Sequence, residues 1–386
     1  MPQLLDLPNE ILYHLAGYLA RELDISSMAR TNGQCHDLFN TFLYHSNAMH
    51  EQIVGGILLS QEGVNPNLQC RSEKDVLCMS LLSRAARAGH ADIVIMLLST
   101  KGIDPNLGDT MGRSPVVHAA FGGQDAVVKQ ILDTPGVDPS FKDLHGRTPL
   151  SWTVVDTDGM LKKGWTALMF SLLLEMPHID IDHQIENGKT DLHFAARHGS
   201  EDIERLLLAR GANPDPKDRH NRSPLYLSAH FGHLGVVKLL HEAGADLDSV
   251  TSGGGTPLIT ASSCGFSDMV LFLLETGRVA LGRQEEDMER NSFSFAAQGG
   301  YLEIVQKLIQ YGEVTNTKDY KGRTPLSYAV EYGNIEIARV LLLNSSPVDC
   351  EGMDADGETL LSRASRHCDL DISDLLASVT ASDLQL

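Results

Sequence analysis

The chain has 386 residues, 42% of them hydrophobic and 21% charged, a composition that excludes an intrinsically disordered polypeptide. Its 31 Lys and Arg against 51 Asp and Glu leave a net charge of -20. That balance argues against a protein whose main ligand is a nucleic-acid backbone, because neutralising phosphates takes a surplus of cations. No run of about 18 apolar residues occurs, so no membrane span is expected. Asp6, Glu10 and His14 interrupt the opening apolar stretch, unlike a secretory leader. The cysteines (Cys35, Cys70, Cys78, Cys264, Cys350, Cys368) form no C-x-x-C pair and fit reduced thiols in a cytoplasmic or nuclear protein.

In chain order, the first predicted helix starts near Pro8, with Ile11, Leu12, Leu15, Tyr18 and Leu19 at helical spacing. Asp24 can cap a second short helix through Ile25 and Met28, and a third carries Leu38, Phe39, Phe42 and Leu43. Three short helices bury little apolar area alone, so this segment must pack on its neighbour or on a partner. The Leu7-Pro8-x-Glu10-Ile11 opening with Leu15 resembles the F-box, a roughly forty-residue module whose hallmark is L-P-x-E-I/L in its first helix. Asp24, Ile25, Met28, Ala29 and Arg30 match that family's second helix, and Leu38 and Phe39 part of its third. The Trp that many F-boxes carry near their end is missing here. The resemblance implies docking to a Skp-type adaptor, and so to a cullin-RING ubiquitin ligase, through Leu7, Pro8, Glu10, Ile11, Leu15, Ile25 and Leu38. The other reading of these helices is a structural cap.

Residues 45–79 look like a decayed repeat: Ile53, Ile57, Leu58 and Leu59 form a helical stripe, and Val64-Asn65-Pro66-Asn67 echoes Ile103-Asp104-Pro105-Asn106. A regular theme then starts at Ser80, Ser114, Thr148, Thr190, Ser223, Thr256, Asn291, Thr324 and Thr359, at intervals of 33 to 35 residues with one of 42. Such a period marks a stacked repeat array. In the copy from Gly322 to Asn344, Thr324 stands at an N-cap position and Pro325 follows where a missing N–H costs nothing. Leu326, Ala329 and Val330 give a narrow apolar stripe. Gly333 ends the first helix, and Ile335, Ile337, Ala338, Val340, Leu341 and Leu342 build a second. The 42-residue interval holds an insertion near 156–164, expected to project as a loop. Leu370, Ile372, Leu375 and Leu376 are predicted to form a closing helix.

These units resemble the ankyrin repeat, with its G-x-T-P-L-H-x-A-A-x-x-G-H pattern, over roughly residues 80 to 380. The implied fold is all-α: an ankyrin-repeat solenoid of helix-turn-helix units with hairpin tips, following a small three-helix module. The expected domains are the F-box-like module (1–44), a degenerate repeat or linker (45–79) and the array (80–386). F-box plus ankyrin array is similar to a common fungal arrangement.

The sequence contains no G-x-x-x-x-G-K-[ST], H-E-x-x-H or G-x-S-x-G motif. Gly253, Gly254 and Gly255 fall at a hairpin tip, and Asp354, Asp356 and Glu358 lack the spacing of a calcium loop. The histidines, among them His118, His193, His230 and His367, fall in recurring repeat slots. The expectation is therefore a non-enzyme without catalytic, cofactor or metal residues. An enzymatic site in the 156–164 insertion is the minor alternative.

In the resembling family, partners touch hairpin tips and the positions after the first helix's Ala-Ala. Here those positions supply a candidate groove of Arg87, Arg113, Phe121, Arg147, Arg197, His198, Arg222, His230, Phe231, Arg323, Tyr332 and Arg366. Arg and aromatic side chains dominate interface energetics, and an acidic or extended protein segment is the expected occupant. The leading functional reading is the substrate-recognition subunit of a Skp-cullin-F-box ligase, monomeric outside its complex. The alternative is an ankyrin scaffold or transcription co-regulator.

Overall fold

In a computed structural model of the chain, the described residues are 67, 69–70, 79–154, 167–344, 353–366 and 376. The F-box-like residues Leu7, Pro8, Glu10, Ile11, Leu15, Ile25 and Leu38, the 156–164 insertion and the side chain of Arg366 lie outside them. The chain divides into two compact units, residues 1–186 and 187–386, and the division falls inside the repeat array.

The first unit opens with a two-residue antiparallel pairing, β1 (Gln69–Cys70) against β2 (Met79–Ser80), with Gln69 opposite Ser80. Helix pairs follow: α1 (Leu81–Ala88) with α2 (Ala91–Leu98), α3 (Pro115–Phe121) with α4 (Asp125–Leu132), and α5 (Pro149–Val154) with α6 (Ala167–Leu174). First helices pack on first helices, α1 on α3 and α3 on α5, while α2 packs on α4. Asn67 Nδ2 donates to the Gly102 carbonyl and its Oδ1 accepts from the Asp104 N–H. Asn106 makes the same pair of bonds to Gly136 and Asp138 one repeat later.

The second unit continues with α7 (Asp191–His198) and α8 (Glu201–Ala209), then α9 (Pro224–Phe231) and α10 (Leu234–Glu242). Next come α11 (Pro257–Cys264) with α12 (Ser267–Glu275) and α13 (Ser292–Gly299) with α14 (Leu302–Gln310). Helix α15 (Pro325–Glu331) pairs with α16 (Ile335–Asn344), and α17 (Leu360–Arg366) packs on α15.

Local chemistry starts and stops the first helices. The side chains of Ser80, Ser223, Thr256, Asn291 and Thr324 each accept the backbone N–H three residues on. One such cap contributes about 1 kcal/mol. At Thr190 the cap is reciprocal, with His193 Nδ1 accepting the Thr190 N–H. Small residues, including Ala119 and Ala120, Ala195 and Ala196, and Ala296 and Ala297, are fully or almost fully buried where the first helices meet. In the second helices the position four after the N-cap is Val94, Val128, Val237, Val270, Val305 or Ala338, each 0% exposed. Among the second helices whose N-cap is described, one departs: Glu204 occupies that position, also 0% exposed.

Neighbouring hairpins touch through single backbone bonds. In the first unit Leu144 N–H donates to the Met111 carbonyl. In the second, Arg219, Ser252, Glu286, Tyr320 and Ala355 donate to Asn187, His220, Gly253, Met288 and Lys321. This proximity explains the glycine at two tips. Gly188 and Gly254 have φ of 78° and 76°, and a Cβ at either would lie 2.9 or 2.8 Å from the backbone nitrogen of the next hairpin.

Candidate partner-binding face

Four hairpins are closed by an acid–base clamp that the sequence spells as Asp-x-x-[Gly/Asn]-Arg. Asp109, Asp143, Asp218 and Asp319 use Oδ1 to accept two backbone N–H groups, at the second and fourth residues on. Their Oδ2 accepts the Nε of Arg113, Arg147, Arg222 and Arg323 at 2.8 to 2.9 Å. A donor nine residues after the aspartate often completes the set: His118 Nε2 lies 3.1 Å from Asp109, Trp152 Nε1 donates to Asp143 at 3.0 Å, and Tyr328 Oη to Asp319 at 2.7 Å. Burial alone would push Asp109 and Asp319 up. Hydrogen bonds from His118 and Arg113, and from Tyr328 and Arg323, overcome it and hold both carboxyls below the usual range.

The four hairpin arginines are thus placed on their own aspartates, and three of them lie over aromatic rings. Arg147 Cζ lies 3.7 Å from the Trp152 ring centroid, Arg323 4.7 Å from that of Tyr328, and Arg113 5.5 Å from that of Phe121. Sequence reading named Arg113, Arg147, Arg222 and Arg323 for the groove without assigning them this second employment. Sequence reading takes His118 as a repeat-slot residue and does not join the aspartates and the donor nine residues on into a clamp, although the recurring Asp-to-Arg spacing is present to find. His118 is a buried clamp ligand, and its own proton affinity falls with that burial despite Asp109.

The side chains at the ends of the first helices behave differently. Arg87, Arg197 and His230 are exposed, Phe231 is 41% and Tyr332 52% exposed, and Phe121 and His198 are half-buried. Within the second unit Arg197 Cζ stands 5.4 Å from the Phe231 ring centroid, and His230 meets Phe231 edge-on at 4.9 Å. Tyr226 stacks on His230 at 6.5 Å, and His230 Nδ1 lies 3.1 Å from Thr260 Oγ1. Beneath this row, the N-cap residues of the second helices sit against the glycines of the preceding repeat. His233 faces Gly199, Phe266 faces Gly232 and Tyr301 faces Gly265.

The acidic run at the last hairpin has a local purpose. Arg363 lies 2.8 Å from Glu331 and 3.6 Å from Glu358, and pairs with Asp354. The 253–255 glycines form the turn of a hairpin closed by Thr251 N–H to the Gly255 carbonyl. Among the described residues, no group of three His, Cys, Asp or Glu side chains is placed to hold a metal ion, and no helix is long and apolar enough to cross a membrane.

A family model described as "Ankyrin repeats (3 copies)" matches residues 44–143, 82–172, 119–218, 162–251, 192–284 and 293–385. An ankyrin repeat protein of fowlpox virus is 30% identical over 168 residues, 43% of this chain and 92% of the viral protein. The ankyrin repeat and KH domain-containing protein mask-1 of Caenorhabditis elegans is 32% identical over 118 residues, 30% of this chain but 4% of that protein. Protein phosphatase 1 regulatory subunit 12A of Mus musculus is 42% identical over 64 residues, 17% of this chain and 6% of its own length.

Proposed function

The chain belongs to the ankyrin-repeat family, a fold that serves protein–protein interaction, and from this premise we propose that it is a non-catalytic adaptor with two ends. The array captures a protein partner through the ends of its first helices. The N-terminal module, residues 1–44, docks a Skp-type adaptor and so delivers the partner to a cullin-RING ubiquitin ligase; residues 45–79 join the two. Catalysis then belongs to other subunits, and this chain contributes proximity in a cytoplasmic or nuclear setting.

One observation carries the partner-binding half. The buried frame repeats from unit to unit, while the side chains it presents change from Arg87 to Phe121, Arg197, Phe231 and Tyr332. A surface that varies over a constant frame is what a selective interaction array needs. The ligase half rests on the Leu7-Pro8-x-Glu10-Ile11 resemblance alone. It is tested by pull-down of the full chain with the Skp adaptor, comparing wild type with L7A/P8A. Capture by wild type and loss in the double variant is the expected result. No capture by the intact chain rejects the ligase reading and leaves an ankyrin scaffold.

A further inference from the structure

Among the hairpins of the second unit that depart from this clamp, one leaves charge unspent. At the slot held elsewhere by Arg113, Arg147, Arg222 and Arg323 stands Lys189, and the position four residues before it in sequence is Ile185 instead of aspartate. Lys189 is only 9% exposed, yet no carboxylate pairs with its ammonium among the described residues. Its Nζ lies 5.7 Å from the centroid of the Phe194 ring.

The slot eight residues further on normally complements the hairpin cation. Glu331 lies 3.9 Å from Arg323, Gln298 accepts a hydrogen bond from Arg290, and Phe121 lies under Arg113. For Lys189 that slot holds Arg197, a second cation, which likewise has no carboxylate partner among the described residues. Asp218, whose charge acts on Lys189, is already taken by Arg222 at 2.8 Å and by two backbone N–H groups. Burial and the neighbouring guanidiniums of Arg222 and Arg197 pull Lys189 below the ordinary lysine value, with Asp218 opposing them. In a chain of net charge -20, this leaves two uncompensated cations, one of which, Arg197, stands beside the exposed ring of Phe231.

We propose that Lys189 and Arg197 form an anion socket for one acidic side chain of an extended partner peptide, carboxylate or phosphate, with Phe231 taking the apolar residue next to it. The proposal rests on the reading that the array captures its partner at these helix ends, and it adds which side chain is read and where. A bridging anion would satisfy the two cations as Glu331 satisfies Arg323. Phe231, already carrying the Arg197 guanidinium on its face, supplies a ledge that is apolar and partly wet.

The test uses the full chain and three fluorescein-labelled peptides identical except at a central position before Leu: Glu, phosphoserine or Gln. Fluorescence anisotropy at low salt is expected to show the Glu or phosphoserine peptide binding at least about tenfold more tightly than the Gln peptide. Whichever of the two depends more strongly on Lys189 identifies the source of the anion. K189M and R197Q should each weaken that binding about tenfold, while K318Q, a charge loss elsewhere on the unit, should change it less than about twofold. Because the Lys189 side chain is largely buried and its ammonium has no carboxylate partner among the described residues, K189M should leave the thermal midpoint unchanged or raise it. Equal binding of the three peptides, absence of measurable binding, insensitivity to K189M and R197Q, or a lowered midpoint in K189M would each overturn the socket. Skp capture does not involve Lys189, so a chain that fails here and still captures Skp rejects the socket alone.

Discussion

Glu204→Val restores to α8 the residue that the same position carries in most other repeats. The wild-type carboxyl is 0% exposed, and neither oxygen finds a donor among the described residues. Burial pushes its pKa well above 4.5, so it is held protonated where an ordinary glutamate would ionise. An unpartnered buried polar group costs about 1–3 kcal/mol, and the smaller valine leaves a void worth at most about 1 kcal/mol. The substitution should therefore stabilise the chain by about 1 kcal/mol at pH 4, where both folded and unfolded carboxyls are largely protonated.

The gain should grow with pH. A raised folded pKa means that stability is fully present below the unfolded value of 4.5 and is lost as pH rises towards the folded value. The variant lacks this loss, so its advantage widens by about 1.4 kcal/mol per pH unit above 4.5, until the folded carboxyl itself ionises. Urea unfolding of both proteins at pH 4 and pH 7, followed by circular dichroism, measures the difference; other carboxylates cancel in the comparison. A destabilised variant, or a gain that does not change with pH, would refute the reasoning by showing that Glu204 has a partner worth more than its burial costs.

Glu313 takes the place that Ala212 and Ala245 hold in their repeats, and burial raises its pKa to about 7. Its contribution is intact below pH 4.5 and lost on the way to pH 7; Glu313→Ala should remove that slope and gain about 3 kcal/mol at pH 7 and above, read from the same urea titrations. The opposite sign holds for Asp319, whose carboxyl is depressed by Tyr328 and Arg323 against burial. Asp319→Ala should cost about 3 kcal/mol at neutral pH, and the gap should narrow as pH falls below the unfolded value of 3.8, measured by thermal unfolding at pH 7 and pH 3.

The repeat period, the capping residues and the alternation of short and longer helices were legible because they are local: Thr324 needs only the N–H of Ser327 to cap its helix. The direction of the hairpin arginines was not. Arg222 reads as an exposed tip residue, and only the folded hairpin turns its guanidinium onto Asp218. The socket was hidden for the same reason. Lys189 looks like a routine basic residue until the aspartate four positions before Arg113, Arg147, Arg222 and Arg323 is recognised, with Ile185 standing in its place. Glu204 could have been found by aligning the second helices, since one acid among valines is visible without coordinates.

The rungs between successive hairpins have a mechanical consequence. In the second unit each junction at the tips has one backbone bond, such as Ser252 N–H to the His220 carbonyl at 2.9 Å, supplemented at some by a side-chain bond such as Asn221 Nδ2 to the Val250 carbonyl. Opening one such bond costs about 1 kcal/mol net, far less than separating helices that bury Leu225, Leu258 and Ala261. The tips are therefore the compliant edge of a stiff body, able to spread like the pages at the open side of a bound book. A partner gripping several tips can draw them to its own contour one junction at a time, while the spine of packed helices keeps its register.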